Sequence, residues 1–156
     1  MKRNHGIELA FFIFIFSLKV NSQQKLVQTP KDILFLCRDE ERFLGKPLGK
    51  ILNEIKPSIK YAFGAPGEGV RPNVFYFFFV PRNIYFQYRQ QDKFPLTLRV
   101  YVKEDFEWYE SRQKLEKSKR HEWSKADEKK YENLTITKVS IGGEFNACDY
   151  EIEQNL

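Results

Sequence analysis

The feature that most constrains this chain is the aromatic segment Asn73–Arg89, in which eight of 17 residues are Phe or Tyr. Aromatic and β-branched residues favour strands, and alternation along residues 73–80 would place aromatic rings on both faces of a strand. A strand that is apolar on both faces needs cover on both, from its own chain or from a partner. We therefore predict that residues 73–80 form the central strand of a sheet.

An apolar stripe at helical spacing predicts the cover for one of those faces. The stripe consists of Leu48, Ile51, Leu52 and Ile55. Its i, i+3, i+4, i+7 spacing is typical of an amphipathic helix, and we expect it to pack on the strand face that carries Tyr76. The opposite face, with Phe75, Phe77 and Phe79, has no cover that the sequence identifies, so either the later charged segment or a partner covers it.

The remaining pattern completes a single α+β domain over residues 23–156. Thr29 and Pro30 predict the start of an earlier helix, because a capping residue precedes a proline at the first helical position. Alternating apolar residues predict further strands at 59–63, 84–89, 96–103 and 134–141. We expect N-terminal helices packed on a four- to five-stranded, mainly antiparallel sheet, with a charged helical insertion before the last strand. Residues 144–156 are predicted to form a loose tail.

The first residues have the layout of a secretory signal peptide. Lys2 and Arg3 precede an apolar run, and small residues end the segment before Gln23. The run is about half the ~20 apolar residues that a bilayer span requires. We therefore predict that Met1–Ser22 is cleaved and that the product is secreted or periplasmic, with no membrane span; an uncleaved anchor is the alternative.

The charges and the histidine count limit the chemistry of the mature chain. The leader holds three basic residues and one acidic residue, so 23 basic and 20 acidic residues remain. Such a balance does not require nucleic acid as a partner. His121 is the one histidine outside the leader, and no CxxC pair is present. We therefore predict no catalytic triad, no metal and no cofactor.

Two cysteines, Cys37 and Cys148, lie near the two ends of the mature chain. In an oxidising compartment they could form a disulfide. The alternative is two unrelated cysteines, because the sequence does not show whether their Cα atoms lie within bridging distance. Both alternatives stay open.

Aromatic and basic residues share the polar side of the predicted strands. The candidate binding surface consists of Tyr85, Arg89, Arg99, Tyr101 and Lys103. Rings interleaved with arginine suit stacking on a partner's groups, although such side chains also simply cover a sheet with their stems. We predict an exported, non-enzymatic binding module whose partner is an unknown protein or polysaccharide.

Two other groups of residues suggest alternatives. Asp92, Glu104 and Asp105 flank the predicted strands and could serve a small hydrolase of envelope or extracellular polymers that uses carboxylates. A basic group could instead meet an anion, although the sequence favours a solvated helix of mixed charge over an anion site. Its members are Lys114, Lys117, Lys119, Arg120 and His121.

Overall fold

In the computed structural model of the protein, residues 24–143 are described. The predicted signal peptide Met1–Ser22, the predicted tail 144–156 and Cys148 lie outside these residues. Cys37 lies in the first helix and packs partly buried against the core. Its disulfide with Cys148 therefore stays a prediction.

The described residues form short helices and a four-stranded sheet. The helices are α1 (Ile33–Arg38), α2 (Leu48–Leu52), α3 (Arg82–Gln90), α4 (Tyr109–Gln113) and α5 (Lys125–Tyr131), with short 3-10 turns at Pro30–Asp32 and Glu40–Arg42. The strands are β1 (Tyr61–Pro66), β2 (Pro72–Phe78), β3 (Thr97–Val102) and β4 (Ile136–Gly142). They pair antiparallel in the order β1-β2-β3-β4. The α+β class and the antiparallel sheet are confirmed.

The core lies against the face of the sheet that carries Phe75 and Phe77, both fully buried. The apolar stripe of α2 belongs to this same core cluster, so the expectation that it covers the Tyr76 face was wrong. Alternation fixes which residues share a face, but it does not fix which face meets the helices.

Rings from the segment between β3 and β4 complete the cover of Phe75 and Phe77. Phe106 stacks on Phe75 with ring centroids 4.0 Å apart. Trp123 meets both rings edge-on, at 5.9 Å from Phe75 and 4.9 Å from Phe77. Trp108 lies 6.0 Å from Phe75. The chain itself therefore buries Phe75 and Phe77, whereas Phe79 follows β2 and is only partly buried against the core.

A buried arginine holds α4 and α5 together. Arg112 donates from Nη2 to Oδ1 of Asp127 at 2.6 Å and from Nη1 to the carbonyl of Glu122 at 2.9 Å. Its guanidinium carbon lies 4.1 Å from the centroid of a Trp108 ring. Asp127 also accepts from the N–H of Ser124 at 2.8 Å, which closes the capping box that begins α5.

The segment 84–89, predicted to be a strand, is part of helix α3. Both edges of β2 are already occupied by β1 and β3, so this segment has no edge of β2 left to pair with. Pro81, which precedes α3, has no N–H to donate to a strand. The alternation of aromatic residues fits the strand period and the helix period equally well over six residues, and tertiary pairing decides between them.

Several outward-facing backbone groups of the two outer strands have hydrogen-bond partners. On β4, the N–H of Val139 donates to Oε1 of Glu40 at 2.8 Å, and both backbone groups of Ile136 bond to residues 45 and 46. On β1, the N–H of Ala62 donates to the carbonyl of His121 at 2.8 Å. The carbonyl of Gly64 accepts from the hydroxyl of Tyr109 at 3.1 Å.

Candidate binding surface

The face of the sheet opposite the core, here called the second face, carries aromatic and basic side chains. Alternation and register place twelve residues on it: Tyr61, Phe63, Ala65, Val74, Tyr76, Phe78, Thr97, Arg99, Tyr101, Lys138, Ser140 and Gly142. Two of these residues are basic and none is acidic. The second face therefore has a positive potential that no carboxylate of its own strands offsets.

One end of the second face is covered and the other is covered in part, since Tyr101 and Lys138 beside Val74 stay partly or fully exposed, and the centre is open. At one end Tyr85 of α3 packs 5.5 Å from Tyr61 and 4.9 Å from Phe78, and both of these rings are buried. At the other end Val74 is fully buried beneath the β1–β2 loop, where Gly67 lies close to its side chain. Between these covers lies the rung in which four residues pair directly across the four strands. This middle rung consists of Phe63, Tyr76, Arg99 and Ser140, all partly exposed.

The rings of the middle rung stack on one another. Phe63 and Tyr76 are 4.5 Å apart and within 9° of parallel, and the guanidinium carbon of Arg99 lies 5.7 Å from the centroid of Tyr76. These contacts occupy ring faces, so ring edges and the cation are what remain available to a partner. Ring edges carry the positive part of the aromatic quadrupole. The rung therefore suits anionic groups better than the apolar faces of neutral sugars.

Two buried polar atoms of this rung have no hydrogen-bond partner within residues 24–143: Nε of Arg99 and Oγ of Ser140. The two residues face each other directly across β3 and β4. The Arg99 guanidinium lies over Gly142, where a Cβ atom would collide with Nη2. A buried polar atom without a partner costs about 1–3 kcal/mol. Both atoms are closed to solvent, so a ligand that bonds to them must first displace the groups that cover them.

The structure separates the five residues of the candidate binding surface. Arg99 and Tyr101 lie on the second face, and Tyr101 is 5.6 Å from the ammonium of Lys138. Tyr85 lies on α3 and touches the end of that face, whereas Arg89 lies further along α3, 4.1 Å from the ring of Phe94. Lys103 follows β3 and is exposed.

Sequence reasoning missed Phe63, Tyr76 and Lys138 as parts of this surface. Phe63 and Tyr76 follow the alternation that the sequence shows, but their stacking depends on the pairing register of β1 and β2. Lys138 reaches Tyr101 only because β4 pairs with β3. Register was the signal that would have found all three.

The carboxylates considered for hydrolysis lie before and after β3, and one of them has hydrogen-bond partners on both oxygens. Both oxygens of Glu104 accept from Thr135, one from its N–H and one from its hydroxyl, each at 2.7 Å. Burial would raise the pKa of Glu104, but these hydrogen bonds outweigh it and lower the pKa. Asp92 lies before β3 and Asp105 after it, so the two residues belong to loops at opposite ends of a strand that rises about 17 Å.

Metal sites and membrane spans have requirements that residues 24–143 do not meet. No group of three His, Cys, Asp or Glu side chains there could hold a metal ion. No helix in that range is long and apolar enough to cross a membrane. Comparisons with protein-family models, curated proteins and solved structures find no match to this chain.

Proposed function

We propose that this chain is an exported, non-enzymatic binding module that holds an acidic segment of a partner protein on its second face. The middle rung carries the proposal, because it combines a stacked ring pair, a guanidinium and unpaired buried polar atoms. A peptide carboxylate offers two acceptor oxygens in a plane, which matches the donors of a guanidinium. Export follows from the signal peptide at Met1–Ser22, cleaved after Ser22.

The helices support this role from the other side of the sheet. In the proposal, the N-terminal helices α1 and α2 and the charged insertion with α4 and α5 are packing elements that leave the second face to the partner. The buried residues of α1, α2 and α5 belong to the core cluster around Phe75 and Phe77, and the buried residue of α4 is Arg112. A face supported in this way can hold its rings in fixed positions before the partner arrives, which lowers the entropy cost of binding.

A polysaccharide is the competing class of partner. Sugars usually present apolar C–H groups to open ring faces, but Phe63 covers one face of Tyr76 and the guanidinium of Arg99 lies over the same ring. An acidic polysaccharide could still bind through its carboxylates. The experiment below therefore compares a protein-like acidic ligand with an acidic polysaccharide.

The experiment measures binding of the mature chain to poly-glutamate, polygalacturonate and neutral dextran at two salt concentrations. We expect the tightest binding to poly-glutamate and none to dextran. Arg99→Gln should weaken poly-glutamate binding about five- to tenfold, since one charge-assisted contact is lost.

Arg42→Gln is the matched control, because it also removes one positive charge but lies beside α1, where Arg42 pairs with Asp39 at 3.1 Å. It should leave the affinity unchanged within about twofold. Equal weakening by the two substitutions would show that only net charge matters and would refute the second face as the site. Tighter binding to polygalacturonate would overturn the choice of a protein partner.

A further inference from the structure

A separate basic cavity of about 320 Å³ lies between the start of β1, the start of α3 and the residues that precede α5. Its polar lining includes Lys60, Arg82, Asn83, Ser118, His121 and Glu122. These residues come from three segments that are distant in the chain, so the fold assembles the cavity. Its volume is that of roughly ten water molecules, which suits a small group and not a folded partner.

His121 forms one wall of this cavity. Sequence reasoning favoured an exposed, solvated helix for this residue, whereas the structure has it partly buried against Tyr61, with ring centroids 5.5 Å apart. The hydrogen bond from Ala62 to the His121 carbonyl fixes its backbone to β1. Its Nδ1 atom is buried and has no hydrogen-bond partner in the described part of the chain.

The surroundings of His121 are predominantly cationic. Burial is the largest cause that lowers the pKa of His121, and the charges of Arg82, Arg112 and Arg120 lower it further. Lys60, which directly precedes β1, adds a cation, and Glu122, which is exposed, is the one carboxylate in the lining. Cations that crowd a partly buried imidazole indicate a place where an anion would be stabilised.

The first residues of α3 add backbone donors to the same cavity. Pro81 precedes the helix and supplies no side-chain cap, and the first turn contains no acidic residue. No capping side chain therefore accepts a hydrogen bond from the N–H groups of Arg82 and Asn83. The helix dipole is also positive at this end. The side chains of Arg82 and Asn83 line the cavity beside these groups.

We propose that this cavity binds a tetrahedral oxyanion, the sulfate or phosphate group of a small ligand. Residues that carry donor groups line it from three directions, with Lys60 on one side, Arg82 and Asn83 on a second, and Ser118 and His121 on the third. Three directions suit an anion with at least three acceptor oxygens better than a planar carboxylate. The site does not involve the middle rung, so it stands or fails independently of the proposed partner.

The test follows the titration of His121 by NMR in the full chain, with the His121→Gln spectrum used to distinguish its signals from those of His5. Inorganic sulfate and inorganic phosphate are titrated against chloride at matched ionic strength. We expect a saturable rise in the pKa of His121 with the tetrahedral anions, which corresponds to binding about fivefold tighter to the imidazolium form. A rise of the same size in chloride would refute the site.

Three substitutions test the cavity itself. Arg82→Gln should weaken sulfate binding about tenfold and Glu122→Gln should strengthen it, because one removes a cation and the other a repelling carboxylate. Arg89→Gln, on the same helix but over Phe94, is the matched control and should change nothing. If Arg82→Gln fails to fold, Lys60→Gln carries the same expectation from the opposite wall.

The outcomes that overturn the proposal are equal weakening by Arg82→Gln and Arg89→Gln, or weaker binding after Glu122→Gln. Glucose 6-sulfate and glucose 6-phosphate then identify the source of the anion. Tighter binding of an ester than of the free ion assigns the site to a ligand that carries the sulfate or phosphate group. Tighter binding of the free ion assigns it to the inorganic anion.

Discussion

Replacing Arg112 with methionine should destabilise the fold more than any other single loss of charge in the insertion. The side chains of Arg112 and Asp127 are only 6% and 16% exposed, and their atoms are 2.6 Å apart. Methionine keeps the apolar stem against Trp108 but removes the guanidinium. Asp127 then keeps a largely buried charge without its cation, and the carbonyl of Glu122 loses its donor.

The size of this effect follows from those contacts. Removing one partner of a buried ion pair costs about 3–5 kcal/mol, and the retained packing of methionine favours the lower end, about 3 kcal/mol. That is a large share of the roughly 5–15 kcal/mol that stabilises a typical domain. Lys119→Met is the matched control, since Lys119 and Glu116 are 61% and 74% exposed at 3.5 Å. It should change the free energy of unfolding by less than about 0.5 kcal/mol.

Urea unfolding of the mature chain, followed by fluorescence of its two tryptophans, measures both variants. The midpoint of Arg112→Met should fall while the slope stays that of the wild type, which indicates a change in stability alone. A loss below about 1 kcal/mol, or a similar loss in Lys119→Met, would refute the assignment of Arg112 as a buried structural cation. A double-mutant cycle with Asp127→Asn separates the ion pair from the capping bond that Asp127 makes to Ser124.

Other predictions follow from local geometry. Gly64→Ala should cost about 1–3 kcal/mol by overpacking, because its Cβ would lie 2.6 Å from the Phe106 ring, whereas Gly69→Ala, with nothing within 4 Å, should be near neutral in the same unfolding assay. Burial would raise the pKa of Glu107, but hydrogen bonds from Ser111 and Lys130 lower it to about 2. Because this folded-state pKa is depressed, its stabilisation is present above about pH 4.5 and is lost as the pH falls toward 2. The stability difference between the wild type and Glu107→Gln should therefore shrink across that window; a constant difference would contradict the assignment.

The sequence predicted the class of fold because its strongest patterns are local. Leu98, Val100 and Val102 alternate with polar residues, and the structure has all three buried on one face of β3. Helix α3 was not predicted because the six residues 84–89 fit the strand period and the helix period equally well. A strand is excluded only because β1 and β3 already pair with both edges of β2.

The site was less predictable than the fold, for the same reason. The stacked pair of Phe63 and Tyr76 depends on a register between two strands, which no local pattern contains. The partial burial of His121 depends on aromatic residues such as Trp123, which pack a charge-rich segment against the core. From its composition alone, that segment was predicted to be solvated. Long-range pairing and packing therefore determined the parts that local reasoning could not.

The occupied outer strands of the sheet restrict how any partner can attach. An unpaired strand edge is a template for added strands, both from other proteins and from copies of the same chain. Here the carboxylate of Glu40 accepts from the N–H of Val139 on β4, and the hydroxyl of Tyr109 donates to the carbonyl of Gly64 on β1. An incoming strand would need these backbone groups. Strand addition would first have to break these bonds, so a partner is directed to the side-chain surface, and uncontrolled self-association through the sheet is suppressed.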